Sequence, residues 1–188
     1  MKKLLFLCAI CISVGAAAIS TLSTLSNTNM PHLKVDFVPE SIEDLQDNSD
    51  IIVRANVQST VDIINEDHIT FYITKIKVND CIQGEVSSDY INILQTYSIE
   101  DPILSKDNSD VLLFLEKYQG YLSNDDNTYV CKGLGYGQYY IKNKSVTSCL
   151  NNENSIRSIT DNKKQLLSDA DQFVTYLKNR DYQKQSGK

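Results

Sequence analysis

The chain has 188 residues, of which 41% are hydrophobic and 22% are charged. These proportions are typical of a globular protein and argue against general disorder. Its 24 acidic residues outnumber its 18 basic ones, which gives a formal net charge of −6. An acidic chain without a basic stripe repels phosphate backbones, so we expect no nucleic-acid partner.

The first 20 residues have the plan of a secretory signal peptide. Met1 and two lysines precede an uncharged, largely apolar run over 4–19, and the alanines at 16–18 supply the small residues that a signal peptidase needs. The alternative is an uncleaved anchor, because 4–25 carries no charge and is roughly long enough to span a membrane. Either interpretation predicts an extracellular or cell-surface protein that contacts the membrane only through this segment, if it is not cleaved.

A polar segment over 21–38 follows the leader and is predicted to be a tether, because it lacks apolar periodicity. Ser41 and Asp44 are then spaced like a capping box, which predicts one or two helical turns. Ile42 and Leu45 lie three residues apart and would seat those turns on the folded domain.

Alternating and β-branched segments predict five to seven strands in the middle of the chain. The first alternates clearly, with Val53, Ala55 and Val57 on the inward face. A continuous apolar run at 111–115 is typical of a strand buried on both faces. Residues 79–84 are predicted to close the second strand as a loop. The predicted strands are 51–61, 69–78, 90–95, 111–115, 129–131, 136–141 and 145–147, with a polar turn at 66–68.

The apolar period changes near the C-terminus, which predicts an amphipathic helix. Four apolar residues share one stripe of that helix: Leu166, Ala170, Phe173 and Leu177. Thr160 is the predicted N-cap, and the helix is expected to end near residue 182. We therefore expect a linker and a packed helix over 151–182, followed by a disordered tail over 183–188.

Three cysteines follow the leader: Cys81, Cys131 and Cys149. An exported protein meets oxidising conditions, so one disulfide can form. We favour Cys131–Cys149, because the strands that they flank are predicted to be neighbours. Such a bridge would stabilise the fold by roughly 3 kcal/mol in the chain-entropy model. The alternative is that all three stay reduced and that Cys131 packs in the core.

No motif indicates a metal, a cofactor or a catalytic nucleophile. His32 and His68 are far apart and lack partners at metal-ligand spacing, and the nucleophile-elbow pattern is absent from the sequence. Acidic turns at 107–110 and 125–127 lack the spacing of an EF-hand calcium loop. The glycines within 133–137 do not match the dinucleotide-binding pattern, so we interpret them as residues that permit a bulge or sharp bend. We expect no cofactor, no metal site and no catalytic residues.

Tyrosine is the distinctive residue, with 11 copies in a chain that has no tryptophan. Exposed tyrosine is a good contact residue for proteins and sugars. The alternative is that these tyrosines are present because tyrosine is a strong strand former. Tyr139 and Tyr140 are neighbours in a strand, so one of them is expected to face solvent. The candidate contact residues are Tyr118, Tyr121, Tyr136, Tyr139 and Tyr140.

The order of these segments resembles that of the netrin-like modules, which include the tissue inhibitors of metalloproteinases. The segment 49–57 resembles their first barrel strand, and 71–77 resembles their second. The segment 110–115 is similar to the strand that follows their sustained loop. Small secreted bacterial proteins of unknown role also look similar, with a lysine-glycine pair where this chain has Gln83-Gly84.

The resemblance covers roughly residues 40–150 and implies a mainly β fold. The expected architecture is an OB-like five-stranded barrel over 39–150, with or without an extra hairpin, and a C-terminal amphipathic helix packed on it. The resemblance does not carry the inhibitor chemistry, because those inhibitors bind the protease zinc through a cysteine at the mature N-terminus. No predicted cleavage of this chain leaves such a cysteine.

The leading hypothesis is a secreted or surface-tethered, non-enzymatic binding module for an unknown protein or glycan at the cell envelope. One alternative is an inhibitor of a secreted protease that acts through a loop such as 97–109. Another is a hydrolase whose site the sequence does not reveal.

Overall fold

The computed structural model describes residues 34–150 and 168–187, all within one compact unit. This part of the chain is mainly β, with 43% of it in strands, and it ends in a helix. In chain order the elements are α1 Ile42–Asp47, β1 Ile51–Glu66, β2 Ile69–Gln83, β3 Tyr90–Thr96, β4 Asp110–Lys117, β5 Thr128–Cys131, β6 Gln138–Lys142, β7 Ser145–Ser148 and α2 Ala170–Ser186. The expectation of five to seven strands before a C-terminal helix is confirmed.

Five of the strands form a closed ring. Its order is β1, β2, β3, β5 and β4, and β4 pairs back to β1. The pairing of β3 with β5 is parallel, and the other four pairings in the ring are antiparallel. β6 pairs with β4 and β7 pairs with β6, so the last hairpin extends the sheet outside the ring.

The ring encloses one hydrophobic cluster, to which all five of its strands contribute. Val53, Ala55 and Val57 of β1 lie in it, as the alternation predicts. Val111, Leu113 and Leu115 are among its other members. β-branched residues and leucines at every second position therefore fill the interior of the ring.

A second hydrophobic cluster lies between the other face of the sheet and the two helices. Leu112 and Phe114 of β4 belong to it, so β4 is buried on both faces, as its continuous apolar run predicts. Its members from the helices are Ile42, Leu45, Ala170, Phe173 and Leu177. This cluster holds both helices on the sheet.

Helix α1 begins with the predicted N-cap Ser41, but the return bond of the capping box goes to Glu40, one residue before the N-cap. The Ser41 hydroxyl accepts a hydrogen bond from the N–H of Asp44 (3.0 Å). The Asp44 carboxylate in turn accepts one from the N–H of Glu40 (2.9 Å). Because Ile42 and Leu45 are fully buried, the short helix is held mainly by packing rather than by its own length.

Helix α2 begins at Ala170, where the Asp169 carboxylate accepts hydrogen bonds from the first turn. It continues to Ser186, beyond the expected end near residue 182, because the chain meets no helix breaker before Gly187. The predicted N-cap Thr160 and the apolar residue Leu166 lie outside the described residues.

Ion pairs join α2 to the rest of the domain. Arg54 of β1 contacts Asp110 (2.8 Å) and, in α2, Asp171 (3.3 Å). Arg180 of α2 donates to the carboxylate of Asp47 at the end of α1 (2.7 Å). This contact with Arg180, helped by Lys184, lowers the pKa of Asp47 to about 2. The helix is therefore tied to α1 and β1 by charge as well as by packing.

Strand β2 is longer than predicted. Residues 79–83, expected in a loop, instead continue the ladder with β1, where Val53 pairs with Cys81 and Ile52 with Gln83. Cross-strand pairing thus overrides the local turn preference of Asn79-Asp80. The strand ends at Gly84, whose φ is +74° and where a Cβ would lie 2.5 Å from the carbonyl oxygen of Asp50. Only glycine fits this close approach without strain.

The glycine-rich segment 133–137 makes a 3₁₀ turn over Leu134–Gly137 between β5 and β6. A Cβ at Gly137 would lie 2.6 Å from the carbonyl oxygen of Lys132 and 2.8 Å from that of Phe114. The interpretation of these glycines as bend-forming residues is confirmed.

Neither described helix is long and apolar enough to cross a membrane. The leader lies outside the described residues, so its cleavage and the anchor alternative stay predictions.

Candidate functional site

The five tyrosines of the predicted contact surface differ widely in exposure. Tyr121 is 75% exposed, whereas Tyr139 is only 2% exposed. Tyr118, Tyr136 and Tyr140 are half-buried. Of this group, Tyr121 alone presents most of its side chain to solvent.

The adjacent tyrosines of β6 both pack against protein. Tyr139 lies in edge-on contact with Phe114 and Phe173, with ring centroids 5.8 Å and 6.4 Å away. Tyr140, on the opposite face, packs against the cluster inside the ring. Tyr139 does not face solvent, because α2 covers it, and Tyr140 is half-buried, so neither presents most of its side chain to solvent.

The β1–β2 hairpin extends beyond the ring and carries exposed apolar side chains. β1 pairs with β4 only as far as Asn56, but it continues along β2 to Glu66. Asp67 and His68 then form a two-residue turn with φ of +48° and +67°, which confirms the turn predicted there. Residues 57–66 of β1 therefore have a strand on one side only.

Val61 and Ile63 are the exposed apolar residues of this hairpin, at 50% and 53% exposure. The register of β1 shifts between Val57 and Ser59 and again between Thr60 and Asp62. These shifts are β-bulges, which bend a strand and are common beside functional sites.

Tyr121 joins the same end of the molecule from the connection between β4 and β5. The negative charge of the nearby Glu66 carboxylate raises the pKa of the Tyr121 hydroxyl. We call Val61, Ile63, Tyr121 and Glu66 the hairpin surface. It combines apolar side chains with an acidic group, and the acidic side chains of Asp62 and Asp67 add to its charge.

A second candidate feature is the connection between β3 and β4, which a buried carboxylate holds in place. Asp101 is 2% exposed. It accepts hydrogen bonds from the N–H (2.6 Å) and hydroxyl (3.1 Å) of Thr96 and from the side-chain amide of Gln138 (2.8 Å). Its own N–H donates to the Ser98 hydroxyl (3.1 Å). These bonds leave Ile99 on the outside at 50% exposure, so the connection displays one apolar side chain from an anchored backbone.

Burial raises the pKa of Asp101 to about 6, although its hydrogen bonds act in the opposite direction. The side-chain oxygen of Gln138 is buried and has no hydrogen-bond partner among the described residues. Rotation of the Gln138 amide would turn this oxygen toward Asp101. A protonated Asp101 could therefore donate a hydrogen bond to the Gln138 oxygen, whereas the carboxylate form has no proton to donate.

The cysteines of the predicted disulfide are free thiols in the structure, as is Cys81. Cys131 and Cys149 are both buried. Burial raises the pKa of Cys149 to about 12 and raises that of Cys131 well above the ordinary value of a thiol. Such thiols are poor nucleophiles at neutral pH, and the bridge between them stays a prediction.

Metal ligands do not converge in the part of the chain that the structure describes. Across 34–150 and 168–187, no three histidine, cysteine, aspartate or glutamate side chains are placed to hold an ion. His68 lies in the hairpin turn, and His32 lies outside the described residues.

Sequence reasoning missed the hairpin surface because it predicted the end of β1 at residue 61. The apolar residues Ile63 and Ile64 continue the strand pattern and could have extended it to the turn at 66–68. The exposure of Val61 and Ile63 could not be predicted from the sequence, because an apolar residue in a strand normally indicates a buried face.

A scan against protein-family models, a search of curated proteins and a search of solved structures each find no match to this chain.

Proposed function

We propose that this protein is an exported, non-enzymatic binding module and that the hairpin surface is its contact site. The leader supports export to the cell surface or the medium. The observation that carries the binding role is the exposure of Val61, Ile63 and Tyr121 together at one end of the molecule. Exposed apolar and aromatic groups beside polar ones are typical of interaction sites.

We also propose that the five-stranded ring is an OB-like barrel, in keeping with the netrin-like resemblance. The closed order β1, β2, β3, β5, β4 and the parallel pairing of β3 with β5 support this. OB folds bind ligands with the loop between strands 1 and 2 and the loop between strands 4 and 5. In this chain Val61 and Ile63 lie in the part of β1 that leads into the first of these connections, and Tyr121 lies in the second.

The proposed partner is a protein or glycan of the cell envelope. A catalytic role is not part of the proposal, because the buried groups with strongly shifted pKa values are already engaged in internal contacts. Asp101 holds the β3–β4 connection. Tyr140 packs against the cluster inside the ring, and burial raises its pKa.

Site-specific photo-crosslinking tests the proposed surface. A photoreactive amino acid is placed at Ile63, at Tyr121 and, as a control, at Tyr182, which is 72% exposed in α2. Each protein is irradiated with intact producing cells. We expect a discrete adduct from positions 63 and 121, which excess unlabelled protein prevents, and none from position 182. Equal labelling from all three positions, or no adduct from 63 and 121, would contradict the proposal.

Protease inhibition is a second candidate function, favoured by the anchored β3–β4 connection. Ile99 is half exposed, whereas its neighbour Ser98 and the nearby Asp101 are buried and hydrogen-bonded to each other. A backbone held in one conformation loses little entropy when it enters a protease cleft. At micromolar concentration the protein should then inhibit at least one protease in a panel of secreted proteases. The Ile99→Gly variant should not inhibit that protease. If no protease in the panel is inhibited, this candidate is rejected.

A further inference from the structure

We propose that the outer edge of β1, over residues 58–66, binds an extended basic segment of a partner protein by strand addition. This inference rests on the proposed binding function and names both the mode of binding and the chemistry of the partner. Strand addition combines main-chain hydrogen bonds with pockets or contacts for alternate side chains.

The first support is the open edge itself. β1 pairs with β2 as far as Glu66, but its pairing with β4 ends at Asn56. No strand in the described part of the chain lies along the other side of residues 58–66. These nine residues span about 30 Å at the usual rise of a strand. That length is enough to pair with a peptide of similar size.

The second support is that this edge lacks two common protections. Residues 58–66 contain neither lysine nor proline, the residues that often protect edges from pairing. Instead, the edge presents the β-branched side chains of Val61 and Ile63, each about half exposed. The two bulges in β1 restrict which strands can pair with this edge.

The third support is the position of Asp62. Its carboxylate accepts a hydrogen bond from the exposed N–H of the next residue, Ile63 (2.8 Å). A lysine or arginine on an incoming strand would attract this carboxylate and release the N–H for main-chain pairing. The same cation would gain a charge-assisted contact.

The acidic charge of this edge favours a basic partner over a second copy of this chain. The hairpin carries Asp62, Glu66 and Asp67, and residues 57–69 contain no lysine or arginine. Two copies paired edge to edge would bring like charges together, which destabilises a sheet. A basic segment with β-branched or aromatic residues at alternate positions fits both the charge and the exposed apolar groups.

The test begins with selection from a phage-displayed library of random ten-residue peptides on the full chain. We expect enriched peptides that carry lysine or arginine and alternate with β-branched or aromatic residues. The Asp62→Lys variant should bind a synthetic peptide of that pattern at least tenfold more weakly. Asp36→Lys makes the same charge change at an exposed residue outside the hairpin and should bind within threefold of the unsubstituted protein.

Amide hydrogen exchange then identifies the binding mode. Strand addition predicts that the peptide slows exchange within residues 58–66. Enriched peptides without the basic alternating pattern, equal binding by Asp62→Lys, or unchanged exchange in 58–66 would each overturn the inference. So would a dimer of the free chain that protects the same residues. If strand addition fails but crosslinking from Ile63 and Tyr121 persists, the proposed binding function stands, and if both fail, neither survives.

Discussion

Replacement of Phe173 by alanine is expected to lower the free energy of unfolding by about 3–5 kcal/mol, the usual cost of removing a fully buried phenylalanine. Phe173 is 0% exposed. It contacts the ring of Tyr139, which in turn contacts Phe114 of β4. The substitution therefore opens a cavity in the cluster between α2 and the sheet. Urea unfolding followed by circular dichroism measures the change.

The same helix supplies the control for this prediction. Tyr182 is 72% exposed, and its replacement by alanine should change the free energy of unfolding by no more than about 0.5 kcal/mol. If Phe173→Ala is as mild as Tyr182→Ala, then α2 does not contribute to the stability of the domain, and the packing described for the second cluster is wrong.

The buried carboxylate of Asp101 is expected to make the protein more stable in mild acid than at neutral pH. Its pKa in the folded protein is about 6, above the ordinary aspartate value of 3.8. Between these values the folded state holds a proton that the unfolded state releases, so stability rises as the pH falls toward 4 and is lost as the pH rises through 6. From pH 7 to pH 5 we expect a gain of about 1 kcal/mol in the free energy of unfolding.

Two substitutions separate charge from hydrogen bonding at this position. Asp101→Asn removes the charge and can donate to the free oxygen of Gln138, so the gain between pH 7 and pH 5 should disappear while stability at pH 7 is kept or raised. Asp101→Ala leaves the N–H of Thr96 and the amide of Gln138 without their acceptor, at a cost of about 1–3 kcal/mol for each.

Urea titrations of the three proteins at pH 5, 6 and 7 measure these effects. The lowered pKa of Asp47, about 2, has its influence below pH 4 and does not disturb this window. Equal pH dependence in the unsubstituted protein and in Asp101→Asn would contradict the assignment.

Local signals in the sequence were sufficient for much of the fold. Three predicted features depend on neighbouring residues alone. They are the capping pair Ser41 and Asp44, the alternation of Val53, Ala55 and Val57, and the apolar run of β4. Each of these is found as predicted. The stripe of Ala170, Phe173 and Leu177 likewise requires only the period of a helix.

Features that depend on distant residues were not predictable in this way. The extension of β2 to Gln83 is caused by its pairing with β1, and the burial of Tyr139 is caused by a helix more than thirty residues away in the chain. The anchoring of Asp101 joins the end of β3 to the start of β6 through Gln138. No local pattern in the sequence contains these contacts.

The exposure of the candidate-site residues also depends on contacts between distant parts of the chain. Tyr121 was identified from its residue type, whereas Val61 and Ile63 have the pattern of core residues. Their exposure follows from where β4 separates from β1, at Asn56. That position is set by the closure of the ring and not by the composition of the strand.

Saturation binding of fluorescently labelled protein to intact producing cells tests the binding role most directly. The unsubstituted protein should bind saturably, and a variant with Val61, Ile63 and Tyr121 all replaced by serine should lose at least tenfold in affinity with an unchanged circular dichroism spectrum. The Tyr182→Ser protein should bind as the unsubstituted one does. Equal binding by the triple variant, or no saturable binding at all, would contradict the assignment of the hairpin surface as the contact site.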